Sequence, residues 1–277
     1  MKQIYLILTL CVAVLLCTTQ SLRAQNIWDG SIDISWFDAS QTSFDISTPA
    51  QLAGVAQLVN NGTTTFNGKT VNLMNNIWLN STGDSTNNWV PIGGGSPTSQ
   101  SPETGNSFQG VFNGHGHIIY NMYCDKGNTF HAGLFCSVKY PSTIDSLVMV
   151  NPVAKSRGMM GAIVGFTRSG GGSVYVRNCL VINARLQGST GTDDGNIGCI
   201  IGASYNNNGG NYVQNCGATG LVSGLYVGGI GGNCMHEIIT NCYFAGTIEG
   251  NNNANAGGIS GYSGTRNNCY SYSLALM

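Results

Sequence analysis

Four copies of a short glycine-rich pattern in the second half of the chain constrain its fold more than any other feature. Each copy reads G-x-I-x-G and is followed by an Asn-Cys step. The glycine blocks begin at residues 161, 198, 228 and 257, so successive intervals are 37, 30 and 29 residues. A period of this size indicates stacked units, each of which buries the apolar face of its neighbour. Because the apolar segments within a unit show no helical periodicity, we predict an all-β fold, a right-handed parallel β-helix.

The first 24 residues have the features of a signal peptide. Lys2 provides a short basic start, residues 4–17 are apolar, and Ala24 is a small residue at the expected cleavage point. The apolar run of about 14 residues is shorter than the roughly 20 that a membrane-spanning helix needs. We therefore expect a secreted or cell-surface protein that is not transmembrane.

The composition excludes several classes of partner. Only 8% of residues are charged, 42% are hydrophobic and 40 are glycine. Removal of Lys2 and Arg23 with the signal peptide leaves nine basic and twelve acidic residues, a net charge near −3. Without a basic stripe, the chain is a poor candidate for binding nucleic acid or an anionic membrane.

Eight cysteines remain after the signal peptide. Four of them occupy the same place in successive repeats: Cys179, Cys216, Cys242 and Cys269. In a stack these positions form a ladder of buried free thiols, which act as small apolar side chains. Disulfides are the alternative for an exported chain, and zinc is disfavoured because no C-x-x-C pair occurs. The sequence leaves open whether Asn or Cys of each step points inward.

The segment before the repeats contains one convincing helix, at residues 49–60. Thr48 is a candidate N-cap, Pro49 suits the first helical position, Gln51 completes a capping-box pattern, and Asn61-Gly62 ends the helix. We predict that this amphipathic helix covers the open end of the solenoid. The predicted organisation is a signal peptide at 1–24, an N-terminal cap region at 25–88 and repeats at 89–277.

Several motifs resemble those of GLUG-motif proteins, exported bacterial proteins with short glycine-rich β-solenoid repeats. The motifs are W-V-P-I-G at 89–93, F-Q-G-V-F-N-G-H-G-H-I-I at 108–119, G-L-F at 133–135 and the four repeat units. The stretch at 46–60 is similar to the leader that often precedes such repeats in Bacteroidetes surface proteins. Cys136 departs from the pattern, which has glycine there. The resemblance implies an adhesin-like role at the cell surface, and it carries no catalytic residues.

Candidate chemical sites in the sequence are weak, and we predict no catalytic residue, no metal site and no cofactor. His115 and His117 would point the same way on an extended strand but lack a third ligand. The turn at 193–196 lacks the spaced oxygen ligands of a calcium loop. The carboxylates of the repeats, which polysaccharide lyases and glycoside hydrolases would need in pairs, do not recur at one position: Asp145, Asp193, Asp194, Glu237 and Glu249.

We therefore expect a non-catalytic module that binds an extended ligand, either a glycan or a host or matrix protein. Tyrosines along the repeats suit stacking against sugars, although they would equally serve to cover the edges of rungs: Tyr205, Tyr212, Tyr226, Tyr243, Tyr262, Tyr270 and Tyr272. The alternative function is a polysaccharide lyase or glycoside hydrolase of the parallel β-helix type. We also expect self-association through the last rung, residues 257–277, because unpaired strand edges promote association.

Overall fold

A computed structural model describes residues 26–94, 106–127, 131–188, 195–206, 210–235 and 237–276, so the predicted signal peptide lies outside the described residues. The chain forms a parallel β-solenoid of about seven turns with a single short helix, and the predicted fold class is confirmed. Among the described residues, no helix is long and apolar enough to cross a membrane.

The strands are short in the first turns and lengthen toward the C-terminus. The first twelve are β1 (Ser43–Ile46), β2 (Thr70–Leu73), β3 (Ile77–Trp78), β4 (Val111–Asn113), β5 (Ile118–Tyr120), β6 (Tyr123–Asp125), β7 (Phe135–Lys139), β8 (Ser142–Asp145), β9 (Val148–Val150), β10 (Val153–Ser156), β11 (Met160–Gly161) and β12 (Val164–Ser169). The others are β13 (Val174–Arg177), β14 (Leu180–Gly188), β15 (Asn196–Gly198), β16 (Ile201–Asn206), β17 (Asn211–Gln214), β18 (Gly217–Gly228), β19 (Gly231–Asn233), β20 (Glu237–Thr240), β21 (Tyr243–Gly257), β22 (Ser260–Tyr262), β23 (Thr265–Asn267) and β24 (Tyr270–Leu276). The helix α1 is Pro49–Asn60.

The strands stack into three parallel sheets that run along the solenoid. Sheet 1 has eight strands in the order β1-β2-β4-β8-β13-β17-β20-β23, and sheet 3 has five, in the order β22-β19-β16-β12-β7. Sheet 2 has eleven strands and divides at β14: β9 pairs with the start of β14 and is followed by β5 and β3, while β10 pairs with its end and is followed by β6. The ladder of sheet 1 starts at Ser43, within the segment 25–88.

Asparagine forms the corner between sheets 1 and 2. Asn178, Asn215, Asn241 and Asn268 all adopt the left-handed backbone conformation, with φ between 51° and 55°. Each side-chain amide donates a hydrogen bond to the preceding rung, from Asn215 to Asn178 and from Asn241 to Asn215 at 3.1 Å. Asparagine tolerates this conformation better than most residues. The amides lie on the outside, and this settles the orientation that the sequence left open.

The cysteines of the four Asn-Cys steps point into the solenoid. Cys179, Cys216 and Cys242 are buried, Cys269 in the last rung is half-buried, and all eight cysteines from Cys124 onward are free. Their thiols contact one another and backbone carbonyls, as in the 3.3 Å contact from Cys216 Sγ to the oxygen of Gln214. Burial raises the pKa of the Cys216 thiol, so it packs as a small apolar group. The thiol ladder is confirmed.

The helix α1 spans the predicted residues and follows the edge strand of sheet 1. The Thr48 hydroxyl accepts a hydrogen bond from the amide of Gln51, whose side chain in turn accepts from the amide of Ser47. Its apolar side chains are buried against the first turns: Leu52, Val55, Ala56, Leu58 and Val59. Asn60, its last residue, donates to the oxygen of Pro91 and accepts from the amides of Gly93 and Gly94. The helix is therefore fixed to the W-V-P-I-G segment as a cap.

Candidate functional site

A large groove among the described residues runs along the outer face of sheet 2. It has a volume of about 670 Å³, which is within the usual range for ligand pockets, roughly 300 to 1,000 Å³. Three elements form it: a floor of strands, a wall of asparagines and a loop at residues 81–86. We call it the sheet 2 groove.

The floor is a column of outward-facing residues from five successive strands. Register places Tyr123 beside Val153, Val153 beside Arg185, Arg185 beside Leu221, and Leu221 beside Thr247. Strands stack about 4.8 Å apart, so five of them give a floor roughly 19 Å long. A polymer lying along the solenoid axis would contact several rungs at once.

The wall is a second column of stacked amides. Asn121, Asn151 and Asn183 have φ angles of 54° to 55° and turn the chain between the two parts of sheet 2. Asn151 donates to Asn121 Oδ1 at 3.0 Å, and Asn183 donates to Asn151 Oδ1 at 2.9 Å. The column ends at Gly220, which lies beside Ala184 in the next rung. The wall is therefore a rigid row of amide groups.

The loop at 81–86 also lines the groove, beside Asn121, and buried asparagines hold it in place. Asn80 is fully buried, donates to the oxygen of Asn87 at 3.0 Å and accepts from its amide at 2.9 Å. Asn121 donates to the oxygen of Asn80, which ties this loop to the asparagine wall. At the tip, hydrogen bonds from the side chain and backbone of Thr86 hold the pKa of Asp84 below its usual range.

Two cationic side chains line the groove. Arg185 lies in the floor column, and Lys155 lies two residues beyond Val153 on the neighbouring strand, so both face outward and both are exposed. In the part of the chain that the structure describes, neither side chain takes part in a salt bridge. By contrast, Arg177 on sheet 1 pairs with Asp145, with 2.7 Å between Nε and Oδ2.

The carboxylates considered in the sequence analysis do not come together. Asp145 lies on the outer face of sheet 1, Glu249 on the outer face of sheet 2, and Glu237 is fully buried inside the solenoid. Although burial opposes it, hydrogen bonds from Asn178, Ser146 and Arg177 hold the pKa of Asp145 below its usual range. Asp193 and Asp194 lie outside the described residues. No two of the described three carboxylates share a surface.

Glu237 has an unusual environment for an acid. Neither of its oxygens has a hydrogen-bond donor in good geometry, although the Cys234 and Ser204 side chains are near enough to favour the charged form slightly. Burial dominates and raises the pKa of Glu237 to about 7. The carboxyl group is sealed from solvent.

The two histidines of the H-G-H pattern lie at a turn and not on an extended strand. His115 and Gly116 have φ angles of 50° and 76°, which reverse the chain before β5. His115 Nε2 lies 3.2 Å from Asn72 Oδ1. Within the described ranges, no three His, Cys, Asp or Glu side chains lie close enough to hold a metal ion.

The predicted tyrosines are divided among several surfaces. Tyr212 stacks on Tyr175 on sheet 1, with centroids 4.9 Å apart, and Tyr243 stacks on Tyr270 on sheet 2 at 5.8 Å. Tyr226 and Tyr262 pack edge to face, Tyr272 is exposed, and the side chain of Tyr205 lies outside the described set. None of these tyrosines lines the sheet 2 groove.

Sheet 1 carries a smaller depression, of about 360 Å³, beside Tyr175 and Pro141. Lys69 lines this depression, and its Nζ already donates hydrogen bonds to the backbone oxygens of Ala39 and Gln41. The sheet 2 groove is therefore the stronger candidate site.

The sequence analysis missed the groove, although a signal for it exists. Asn121, Asn151 and Asn183 are spaced by 30 and 32 residues. These spacings match the repeat period, but no glycine block marks them.

Comparisons with known proteins support the fold alone. No protein-family model matches the chain, and no curated protein sequence matches it. A crystal structure of a "putative immunoglobulin A1 protease" from Bacteroides ovatus is similar, with a TM-score of 0.57 and 17% identity over 84% of this chain and 77% of that chain. At this identity the likeness shows a shared solenoid fold. Membership of the GLUG-motif proteins stays a prediction.

Proposed function

We propose that this protein is an exported, non-catalytic, adhesin-like module of the cell surface, and that its sheet 2 groove binds an extended glycan. The observation that carries the proposal is the groove itself. It combines a floor about 19 Å long with rows of amide, hydroxyl, aromatic and cationic groups, which are the groups that hydrogen-bond and stack with sugars.

The distribution of carboxylates supports binding without turnover. Glycosidases use two carboxyl groups, about 5 to 10 Å apart, on either side of the scissile bond. Asp84 is the single carboxylate that lines the described groove, and it is held by Thr86 in the loop at 81–86. A polysaccharide lyase or glycoside hydrolase is the alternative function, and its activity is the outcome that would replace the proposal.

The test combines binding with product release. The purified protein is titrated with a panel of plant and host polysaccharides, and the same mixtures are assayed for new reducing ends over a day. We expect saturable binding and no product. Turnover of any substrate, by an activity that copurifies with the protein, would overturn the non-catalytic assignment. An absence of binding to every polysaccharide would overturn the proposal that the ligand is a glycan.

A pair of matched variants tests the location of the site. Leu221→Trp places a large side chain in the groove floor, and Ile238→Trp places the same side chain outward on sheet 1, where Ile238 is half-buried like Leu221. We expect Leu221→Trp to abolish binding and Ile238→Trp to preserve it. Equal effects of the two variants would move the site away from the groove.

A further inference from the structure

The cationic residues of the sheet 2 groove lie close together without acids between them. Arg185 is flanked in its own column by Val153 and Leu221, which are both apolar. Lys155 is a diagonal neighbour of Arg185, one strand away and two residues along. Adjacent strands lie about 4.8 Å apart and the rise is about 3.3 Å per residue, so the two Cα atoms are roughly 8 Å apart. One anionic group could contact both side chains.

The acidic residues around this pair are engaged elsewhere or at a distance. Asp125 is the rung neighbour of Lys155, and its carboxylate accepts hydrogen bonds from the amide of Gly127 at 2.8 Å and the hydroxyl of Tyr123 at 3.1 Å. Asp84 accepts hydrogen bonds from the amide and hydroxyl of Thr86 within the loop at 81–86. Glu249 lies in the same outer column as Lys155, three rungs along.

We propose that the sheet 2 groove selects an acidic glycan, one whose carboxylate or sulfate groups lie between Lys155 and Arg185. The inference rests on the proposed function and adds the class of ligand. A guanidinium group binds carboxylate or sulfate through two parallel hydrogen bonds, and an ammonium group adds a point charge. Apolar neighbours reduce the competition of water for the guanidinium group.

Because the protein has a net negative charge, its selection of an acidic glycan must depend on cationic groups within the groove. The chain without its signal peptide is acidic, near −3, so its long-range field repels an anionic polymer. Attraction must come from the two side chains in the groove. We therefore expect binding to weaken as salt increases, and to depend on these two residues more than on any cation elsewhere.

The experiment compares ligands that differ in charge. Polygalacturonate, its fully methyl-esterified form, hyaluronate, dextran sulfate and neutral dextran are titrated into the purified protein. We expect at least one acidic polymer to bind about tenfold or more tightly than the neutral ones, given the strength of charge-assisted hydrogen bonds. Comparison of the carboxylated polymers with dextran sulfate identifies the anionic group.

Variants assign the effect to the groove. Lys155→Met with Arg185→Met should reduce acidic-polymer binding about tenfold or more, whereas Arg177→Gln, which removes an exposed arginine on sheet 1, should leave it unchanged. Thermal unfolding of each variant establishes that it is folded. If the double variant is not folded, the two single variants are tested in its place.

The outcomes separate the two proposals. If esterified and free polygalacturonate bind equally, and the double variant does not change their binding, the selection of an acidic glycan is overturned and the proposal of glycan binding is retained. Equal losses in the Arg177 variant would show general electrostatic attraction and also overturn it. Binding to no polysaccharide in this panel or the wider one would overturn the proposed function.

Discussion

The first turns of the solenoid have an aromatic core, whereas the last turns have a core of aliphatic, small and polar side chains. Residues 43–140 bury a set of large rings: Phe44, Phe66, Trp89, Phe108, Phe112 and Phe135. The described part of residues 195–276 buries the single phenylalanine Phe244 together with aliphatic side chains, four cysteines and four polar residues: Cys199, Cys216, Cys234, Cys242, Ser204, Asn211, Glu237 and Ser260. The same fold is thus stabilised in two ways.

One column of sheet 1 shows the difference at equivalent positions. Phe112, Ile144, Val176 and Val213 occupy the same inward place in successive rungs. In the last turns the backbone also approaches closely, since a Cβ on Gly198 would lie 2.5 Å from the Cα of Gly231. Large side chains support the first turns, and glycine and asparagine at the corners support the last ones.

The largest expected effect is the loss of a ring from the first turns. Phe112 is fully buried and its ring lies 5.4 Å from that of Phe135. We expect Phe112→Ala to lower the free energy of unfolding by about 3–5 kcal/mol, and Val213→Ala in the same column by roughly 2 kcal/mol. Urea denaturation of both variants measures the difference. Equal losses of unfolding free energy in the two variants would contradict the difference between the first and last turns.

The second prediction concerns pH and Glu237. Its pKa is about 7 in the folded protein against an ordinary value of 4.5, so between these pH values the folded state holds a proton that the unfolded state has lost. The contribution of Glu237 to stability should therefore be greatest below about pH 4.5, fall as pH rises to about 7, and stay level above that. The shift corresponds to a loss on the order of 3 kcal/mol.

Glu237→Gln is the variant that isolates this effect. We expect it to be more stable than the parent protein at pH 8 and similar near pH 5, by chemical denaturation at both values. His131, buried in the first turns, has its pKa lowered by burial to about 4 from 6.5, so its contribution is lost as pH falls from 6.5 to 4. An unchanged pH profile in Glu237→Gln would contradict the buried acid.

The third prediction concerns the asparagine corner. Asn215 has a φ of 54°, donates to Asn178 and accepts from Asn241. We expect Asn215→Ala to cost about 1–3 kcal/mol, because alanine is strained in the left-handed region. Asn215→Gly should cost less, since glycine adopts this conformation freely and loses only the amide contacts. A glycine variant less stable than the alanine variant would show that backbone conformation is not the cause.

The smallest effect is expected in the reactivity of the thiols. All eight cysteines should titrate as free thiols under denaturant. In the native protein Cys269, which is half-buried in the last rung, should react first, and Cys199 last, because burial raises the pKa of its thiol. Mass spectrometry of partially labelled protein gives the order. Four disulfides would refute the ladder of free thiols, and early labelling of Cys199 would contradict its burial.

Self-association through residues 257–277 stays a prediction. Among the described strands, β24 pairs with β21 alone, and Tyr270, Tyr272, Leu274 and Leu276 are exposed. Analytical ultracentrifugation over a range of concentrations tests it, and a strict monomer at high concentration would contradict it.

Much of the fold was predictable because its signals are local and periodic. The four Asn-Cys steps recur at the rung period, and Thr48, Pro49 and Gln51 form a helix start within four residues. The groove was not predicted, because Tyr123, Arg185 and Thr247 come to lie in one column only after more than 100 residues of chain are folded in register.

The sequence by itself determined the solenoid, the capping helix and the stacking of the cysteines, since each depends on spacing along the chain. The tertiary structure decided which member of each Asn-Cys step points inward, where the carboxylates lie, and that Lys155 and Arg185 share one groove. The reason is physical. A change of one residue in strand register moves a side chain to the opposite face, so the surface on which a residue lies depends on the pairing of strands as well as on their local pattern.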